Sequence, residues 1–534
     1  MGWNIADIWE TNASRAGSEP ALLHGDRVVS WAEFDREANA LARFLVGHGA
    51  QPGEKLAIYS YSRPEWMIAV YAAFKARLVP VNVNYRYRHD ELLYLLDNSD
   101  AVAIVFEGTF AENLEPLRAE LPKLRSYVQL DDGTARTAWA TPYADVARGD
   151  SSPYVVERSA DDMLFIYTGG TTGMPKGVMW RQEDVWFTLG GGGDPITGEG
   201  KPATLEEHGE NVARGDNRIR LLPASPLMHG TGLLTALSAL FGGGSVVTLT
   251  GRKFDAHELW QAVESKQVNV LAIVGDVFGR PMADALDEKS YDLSSLRMII
   301  SSGVMFSPET KERLLSHYGA MFIVDSLGAS EGTGFGIAIS SAANKGDRAK
   351  FTVGTRVKVF TDDNREVTPG SGERGRVARA GYIPVGYYKD PEKSARTFPV
   401  IDGVRYSMPG DYATVEADGT ITLLGRGSQC INTGGEKVYP EEVEEIIKRH
   451  PRVRDAAVVG LPDKKWGQAV TALVEPQAGE GVDEDEIRAL VRESLADYKV
   501  PERVFCVPNI GRSPAGKMDY KGVTELAKRL AGAE

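Results

Sequence analysis

A glycine- and threonine-rich segment, Tyr167 to Val178, carries the clearest chemical signal in this 534-residue chain. It reads YTGGTTGMPKGV and follows an apolar run, Met163 to Ile166, that is typical of a buried strand. Glycines let backbone N–H groups approach phosphate oxygens closely, threonine hydroxyls can donate to them, and Lys176 adds a cation. The segment therefore predicts a nucleotide-binding loop. It is not a P-loop, because Pro175 precedes the lysine, although a glycine-rich surface loop without ligand would also fit the composition.

Seven further segments accompany this loop in a fixed order. They are PLMHGTG (226–232), SSGVMFSP (301–308), DSLGASEG (325–332), PGDYA (409–413), LGRGS (424–428), GGEKVYPEEVE (434–444) and SPAGKMDY (513–520). Together the eight segments resemble the motifs of the adenylate-forming (ANL) superfamily, which includes acyl-CoA synthetases, luciferases and peptide-synthetase adenylation domains. With IPVGYYKD and VRYSMPGDYA, they look similar to the acyl-CoA synthetases that act on long-chain fatty acids and sterol side-chain acids.

This resemblance implies an ATP-dependent acyl-CoA ligase. Such an enzyme joins a carboxylic acid to AMP with release of pyrophosphate, and then transfers the acyl group to coenzyme A, with Mg²⁺ as cofactor. A long-chain fatty or steroid side-chain acid is implied, and an aryl or short-chain acid stays open. The sequence is also compatible with an acyl-AMP ligase that loads a carrier protein, with a nucleotide-binding regulator that has a vestigial site, and with a luciferase-type oxidase.

The resemblance also implies roles for single residues. Glu331 and Thr168 would bind Mg²⁺, and Lys517 would reach the α-phosphate, where a fixed ammonium stabilises the charge that grows in the transition state. In isolation, a loop glutamate and a C-terminal lysine are more often solvated charges. The residues implied in ATP or AMP binding are Thr168, Gly169, Gly170, Thr171, Thr172, Gly173, Lys176, Gly303, Val304, Asp325, Ser326, Ser330, Asp411, Arg426 and Lys517.

Three further roles follow from the resemblance. His229 and Gly230 would border the acyl pocket, although His229 could equally be a hydrogen-bonded core histidine. Gly434 and Gly435 would line the route of coenzyme A. Ser428 would be the hinge about which a small domain rotates between the two half-reactions, since hinges need only tolerate large backbone changes.

The elements that must position these residues alternate between short apolar runs and helical patterns. Residues 30–45 predict an amphipathic helix with Ser30 and Glu33 in capping-box spacing. Apolar runs such as KLAIYS, VPVNV and VAIVF predict parallel strands covered on both faces. Residues 190–217, rich in glycine and charge, predict a surface loop. After the glycines of 425–435, helices from Pro440 and Asp485 and strands near 455–459 and 469–474 predict a separate domain.

We therefore predict an α/β fold with two domains. Residues 1–427 would form a large N-terminal adenylation domain of doubly covered, mostly parallel sheets with a barrel-like subdomain. Residues 428–534 would form a small mobile α+β domain that carries Lys517. A length of 534 residues exceeds what one hydrophobic core supports.

Composition restricts the partners and the compartment. The formal net charge of −14 leaves no basic surplus for nucleic acid, and small-molecule partners are favoured, namely the acid, ATP and coenzyme A. The two cysteines, Cys430 and Cys506, indicate neither a disulfide framework nor a zinc site. With no signal peptide or membrane span predicted, we expect a cytoplasmic protein, which could be a homodimer.

Overall fold

The computed structural model describes residues 2–168, 174–193, 200–215, 218–303, 306, 308–344, 350–426, 431–438, 440–477, 479, 481–511 and 520–532.

Strands and short helices alternate through most of the described chain. The strands are β1 (Pro20–His24), β2 (Arg27–Ser30), β3 (Lys55–Tyr59), β4 (Val79–Asn82), β5 (Ala101–Glu107), β6 (Ser126–Leu130), β7 (Thr141–Pro142), β8 (Met163–Thr168), β9 (Lys176–Arg181), β10 (Arg220–Pro223), β11 (Ser245–Thr248), β12 (Val270–Ile273), β13 (Met298–Ser302), β14 (Phe322–Ala329), β15 (Gly332–Ser340), β16 (Lys350–Phe351), β17 (Val357–Phe360), β18 (Arg374–Ala380), β19 (Gly386–Tyr387), β20 (Val400–Ile401), β21 (Val404–Ser407), β22 (Asp411–Val415), β23 (Ile421–Arg426), β24 (Ile431–Thr433), β25 (Glu436–Val438), β26 (Val453–Asp463), β27 (Gly467–Pro476) and β28 (Arg503–Cys506). The α-helices are α1 (Ile5–Arg15), α2 (Trp31–Gly47), α3 (Pro64–Lys75), α4 (His89–Asn98), α5 (Ala111–Leu114), α6 (Tyr143–Ala147), α7 (Gln182–Thr188), α8 (Leu205–Arg214), α9 (Gly230–Phe241), α10 (Ala256–Lys266), α11 (Gly275–Glu288), α12 (Pro308–His317), α13 (Pro391–Thr397), α14 (Pro440–Ile447), α15 (Glu484–Ser494) and α16 (Tyr520–Leu530). Short 3₁₀ turns cover Gly108–Phe110, Pro116–Ala119 and Asp497–Lys499.

Two eight-stranded sheets hold most of the apolar runs. Their strand orders are β15-β14-β13-β12-β10-β11-β1-β2 and β19-β9-β8-β4-β3-β5-β6-β7. Strands β10 to β14 pair in parallel, as do β3 with β4 and β5, whereas β15, β2 and β19 pair antiparallel at sheet ends. Every residue of β4 and β5 is buried, as expected of parallel strands covered on both faces. The predicted doubly covered, mostly parallel architecture is confirmed.

A third sheet replaces the expected barrel. Strands β16-β23-β22-β18-β21-β20, with β17 also on β18, form a seven-stranded sheet that is built from antiparallel pairs. Among the described strands its order is open, so it is not a closed barrel. Its inner core includes Phe335 of β15 and Val377 of β18.

Local capping decides where the first long helix begins. The Ser30 side chain accepts from the backbone N–H of Glu33, and the Glu33 carboxylate accepts from the backbone N–H of Ser30, which is the predicted capping box. The prediction for residues 190–217 was wrong in part, because Leu205–Arg214 form helix α8, which buries His208 and Val212. A single buried aliphatic side chain gives too weak a periodicity for that helix to be recognised.

The chain divides into two compact units. One comprises residues 1–85, 96–167 and 177–425, and the other comprises residues 86–95, 168–176 and 426–534. The second unit contains the sheet β25-β24-β27-β26 with β28 beside β27. Helices α14 and α15 contribute Val443, Ile447, Ile487 and Val491 to its core. No helix within the described ranges combines the length and the apolar content needed to cross a bilayer.

Candidate active site

The carboxyl ends of two neighbouring parallel strands bring three of the predicted adenine-site residues together. Ser301 and Ser302 of β13 pair in register with Asp325 and Ser326 of β14. Gly303 follows β13 with a φ of +93°, in the left-handed region that favours glycine. Ligands of open α/β sheets bind outside the carboxyl ends of strands, so this edge is a candidate nucleotide site.

Asp325 is held by a partner that the sequence did not suggest. The Lys311 ammonium, on α12, donates to Asp325 Oδ2. Burial raises the pKa of Asp325 above its ordinary value, although the Lys311 charge acts in the opposite direction. The other carboxylate oxygen, Oδ1, makes no hydrogen bond with the described residues, and it can accept from an exocyclic amine.

Glu331 lies in the two-residue turn between β14 and β15, next to Ser330. The Tyr387 hydroxyl donates to Glu331 Oε1 at 2.6 Å, and the Ser407 hydroxyl donates to the Glu331 carbonyl oxygen at 2.5 Å. On the other side of the turn, the Trp180 indole N–H donates to the Ser330 carbonyl at 2.9 Å. Donors to both the carboxylate and the backbone fix the position of the acidic group.

The predicted acyl-pocket segment lies beside this turn. His229 is the N-cap of α9 and is half-buried. Gly230 faces the turn, since a Cβ built there would lie 3.6 Å from Ser330 Oγ. The side-chain amide of Asn82, at the end of β4, donates to the carbonyls of Met228 at 2.6 Å and Tyr167 at 3.0 Å.

Asn82 therefore couples two motifs that are far apart in sequence. Its Oδ1 also accepts from the Tyr167 backbone N–H at 2.7 Å, so both ends of the amide hold the residue that precedes Thr168. Asn82 is 5% exposed, and burying a polar side chain is favourable only when its hydrogen bonds are made. Tyr167 and the His229 segment are thus fixed relative to each other.

The structure describes only the two ends of the predicted phosphate loop. Thr168 ends β8 and Lys176 begins β9, in the same eight-stranded sheet. Asp411 begins β22, where it is half-buried, and Arg426 ends β23. The predicted residues that lie outside the described ranges are Gly169, Gly170, Thr171, Thr172, Gly173, Val304, Ser428 and Lys517.

The two glycines predicted to line the coenzyme A route form the turn of the β24–β25 hairpin. Gly434 and Gly435 have φ of +58° and +84°, the two successive positive values that a type I′ turn requires. The Gly434 backbone N–H donates to the Trp466 carbonyl at 2.9 Å, and a Cβ at Gly434 would lie 3.0 Å from the Trp466 ring. This close approach of backbone to indole explains why glycine occupies position 434.

The sequence did not indicate four residues that position the site, namely Asn82, Lys311, Tyr387 and Ser407. Tyr387 and Ser407 lie in IPVGYYKD and VRYSMPGDYA, whose order carried part of the resemblance, but nothing in the spacing indicates a contact with Glu331. Asn82 was visible as a polar residue within the apolar run VPVNV, and a buried polar residue at a strand end is a usable signal.

The described residues contain no cluster of three or more His, Cys, Asp or Glu side chains that could hold a metal by themselves. A Mg²⁺ ion bound with substrate phosphates needs only one or two protein carboxylates. The oriented carboxylate of Glu331 fits that requirement.

Known proteins resemble this chain over nearly its whole length. The chain matches the model of the AMP-binding enzyme family over residues 9–388 and that of the AMP-binding enzyme C-terminal domain over residues 442–517. It is 44% identical to a 3-oxocholest-4-en-26-oate–CoA ligase of Rhodococcus rhodochrous, over 98% of this chain and 95% of the relative. It is 42% identical to a medium/long-chain-fatty-acid–CoA/3-oxocholest-4-en-26-oate–CoA ligase of Mycobacterium marinum, over 98% of this chain and 96% of the relative.

The fold is also shared with a solved structure. The amide bond synthetase McbA from Marinactinospora thermotolerans superposes with a TM-score of 0.80 at 23% identity, covering 98% of this chain and 99% of that one. The predicted adenylate-forming architecture is confirmed by that likeness and by the two family matches. The chain belongs to the AMP-binding enzyme family.

Proposed function

We propose that this chain is an AMP-forming acid–CoA ligase that activates a long-chain fatty acid or a steroid side-chain acid. The observation that carries the proposal is the Glu331 turn, held by Tyr387, Ser407 and Trp180, beside the carboxyl ends of β13 and β14 and the His229 segment. Relatives at 42–44% identity are named as ligases that join such acids to CoA, which supports both the reaction and the acid.

In the first half-reaction an oxygen of the acid's carboxylate attacks the α-phosphorus of ATP. The bond to pyrophosphate breaks, and acyl-AMP forms. Negative charge grows on the phosphoryl oxygens in the transition state, where Lys517 would stabilise it. Thr168 and Lys176 would contact phosphates, and Glu331 would hold Mg²⁺ together with Thr168. When bound, the metal would neutralise charge on the departing pyrophosphate.

The remaining nucleotide contacts follow from the placement of single residues. Asp325 Oδ1 would accept from the adenine amino group, with Gly303 and Val304 beside the base. Asp411 would accept from the ribose hydroxyls, and Arg426 would contact ribose and phosphate. His229 and Gly230 would border the acyl chain.

In the second half-reaction the thiolate of coenzyme A attacks the acyl carbonyl, and AMP leaves. Residues 1–427 would bind acid and nucleotide, and residues 428–534 would rotate about Ser428 between the half-reactions. The Gly434–Gly435 turn would then line the coenzyme A route.

A pyrophosphate-release screen tests the proposal, with acids from acetate to fatty, aryl and steroid carboxylates, each with and without coenzyme A. We expect acid-dependent release that is fastest with fatty or steroid acids, and acyl-CoA only when coenzyme A is added. Glu331→Gln should abolish release, whereas Glu373→Gln, an exposed glutamate paired with Arg365, should not. Absence of pyrophosphate release with every acid would disprove the proposal.

A further inference from the structure

Among the residues that the structure describes, a buried arginine near the proposed site lacks the counter-ion that the other buried cations have. Arg379, on β18, is only 9% exposed. Its Nη1 donates to Thr188 Oγ1 at 2.8 Å, and no carboxylate of the described residues lies within ion-pair distance. The charge that affects it is the like charge of Arg356, and burial together with that repulsion lowers the pKa of Arg379 to about 10. The guanidinium is therefore still charged at neutral pH.

The other buried cationic residues of the described chain all have the carboxylate partner that Arg379 lacks. Lys75 pairs with Glu10 and Asp35, Lys311 with Asp325, and Lys499 with Glu91. Each of these ammonium groups has a carboxylate within 3 Å. An uncompensated buried charge is costly and is normally paired. Arg379 is the exception, so its counterpart is expected to come from a bound molecule.

The surroundings of Arg379 place it next to the Glu331 turn. Thr188 Oγ1 lies 3.0 Å from Thr333 Oγ1, two residues after Glu331. Arg379 pairs in register with Ser407, the residue that donates to the Glu331 carbonyl. Gly334 has a φ of +67°, and a Cβ there would lie 3.2 Å from Arg379 Nη1. The backbone thus leaves space for the guanidinium at this point.

Two aromatic residues, Phe187 and Tyr382, are close in sequence to Thr188 and Arg379. Phe187, which precedes Thr188, stacks on Tyr382 with ring centroids 4.7 Å apart. Tyr382 follows Arg379 by three residues on the same chain segment. The guanidinium of Arg356, whose charge acts on Arg379, lies 4.7 Å from the centroid of the Tyr382 ring.

We propose that Arg379 binds an oxygen atom of the acid substrate that is remote from the carboxyl group being activated, either a ketone carbonyl or a second carboxylate. A guanidinium carries five N–H donors, and Thr188 takes one of them, so donors remain for a ligand oxygen. The inference rests on the proposed function, because it assumes an acid as substrate. It adds a specificity-determining residue and predicts that the preferred acid is oxygenated rather than a plain hydrocarbon chain.

Matched acids test this subsite. Plain fatty acids are compared with keto acids and α,ω-dicarboxylic acids of equal length, with kcat/KM measured by pyrophosphate release in wild type, Arg379→Met and Arg379→Lys. We expect wild type to prefer one oxygenated series by about 10-fold or more, since a site built for a hydrogen bond discriminates strongly. Arg379→Met should remove that preference and change activity with plain acids by less than about 3-fold, since methionine keeps much of the apolar length. Arg379→Lys should retain part of the preference.

The control is Arg374→Met, an exposed arginine on the same strand, which should leave the preference unchanged. Equal use of plain and oxygenated acids by wild type would overturn the inference even if no variant folds. So would a loss in Arg379→Met that is the same for all acids, or one that appears only as a raised KM for ATP, which would indicate a phosphate contact. If wild type fails to release pyrophosphate with every acid tested, it is the proposed function that fails.

Discussion

At the scale of single residues, the Tyr387 hydroxyl is the donor that orients the Glu331 carboxylate. A hydrogen bond to a charged group contributes about 1.5 to 3 kcal/mol. Tyr387→Phe should therefore lower kcat/KM by about 10- to 100-fold and raise the Mg²⁺ concentration needed for half-maximal rate, because the carboxylate is no longer held in place. Magnesium titrations of pyrophosphate release measure both effects.

Tyr388→Phe is the matched control for that change. The neighbouring Tyr388 hydroxyl also donates to a carboxylate, that of Asp100 at 2.7 Å, but away from Glu331. The control should leave the magnesium requirement unaltered. If both variants require the same amount of magnesium as wild type, the Tyr387 hydroxyl does not orient a metal-binding carboxylate.

His208 should make stability depend on pH. It is 1% exposed, its Nε2 lies 2.8 Å from Asn12 Oδ1, and burial lowers its pKa to about 4. The unfolded chain binds the proton near pH 6.5, so the stabilising effect is complete above that value and is lost as the pH falls towards 4. Between pH 7.5 and 5 we expect a loss of about 2 kcal/mol from this group.

Denaturant unfolding at the two pH values tests this expectation. His208→Gln should be less stable than wild type at pH 7.5 but lose less on acidification, because it has no group to protonate. His48→Gln, an exposed histidine, should behave like wild type. An unchanged pH dependence in His208→Gln would mean that other groups cause the acid sensitivity.

At the scale of elements, a buried ion pair joins two segments of the second compact unit. Lys499 Nζ, in the 3₁₀ turn 497–499, lies 2.6 Å from Glu91 Oε1 of α4, and neither side chain is more than 2% exposed. Removing one partner of a buried pair typically costs about 3 to 5 kcal/mol, because the other charge stays uncompensated. Lys499→Met should therefore be strongly destabilising, and adding Glu91→Leu should restore much of the loss.

Thermal unfolding of the single and double variants checks that coupling. The neighbouring pair Arg88–Asp497, at 2.8 Å but 42% and 72% exposed, is the matched control, and Arg88→Met should cost less than about 1 kcal/mol. Equal effects of Lys499→Met and Arg88→Met would show that burial does not strengthen the dependence on the partner.

Elements with a strong periodicity of apolar residues were predictable from the sequence. The contacts between elements were not. The helix at 30–45 and the parallel strands follow from capping spacing and apolar runs, which are local properties. Helix α8 was missed because Val212 is its one fully buried aliphatic side chain, while Leu205 is only partly buried. The open antiparallel sheet was expected to be barrel-like, since closure depends on pairings between distant strands that no local pattern encodes.

The same distinction holds within the candidate site. Ordered motifs located Gly303, Asp325 and Glu331, and the structure places them at the ends of β13 and β14. The contacts that hold them come from Lys311 and Tyr387, which belong to other elements and show no spacing signal. A charged side chain that is buried without a counter-ion, such as Arg379, can be recognised only in the folded structure.

At the scale of the whole molecule, the account requires Lys517, near the C-terminus, to act in one half-reaction only. Lys517→Ala should reduce acyl-AMP formation from acid and ATP by about 10² to 10³, the usual effect of losing one group that stabilises transition-state charge. Transfer of the acyl group from supplied acyl-AMP to coenzyme A should be largely spared. Lys528→Ala, an exposed lysine paired with Glu525, is the control and should alter neither step.

Separate assays of the two half-reactions measure this difference. Equal loss of both steps in Lys517→Ala would contradict the assigned role and indicate general damage to the protein. Loss of the transfer step alone would place Lys517 on the coenzyme A side of the reaction.

The formation of a mixed anhydride between the acid and AMP is the central claim, and an isotope experiment tests it most directly. The acid is supplied with both carboxyl oxygens as ¹⁸O, together with ATP, Mg²⁺ and coenzyme A, and the nucleotide product is analysed by mass spectrometry. If carboxylate attacks the α-phosphorus, the bridging oxygen stays with the phosphate, and the product is AMP that carries one ¹⁸O. Formation of ADP with the label in inorganic phosphate, or of AMP without label, would contradict the account.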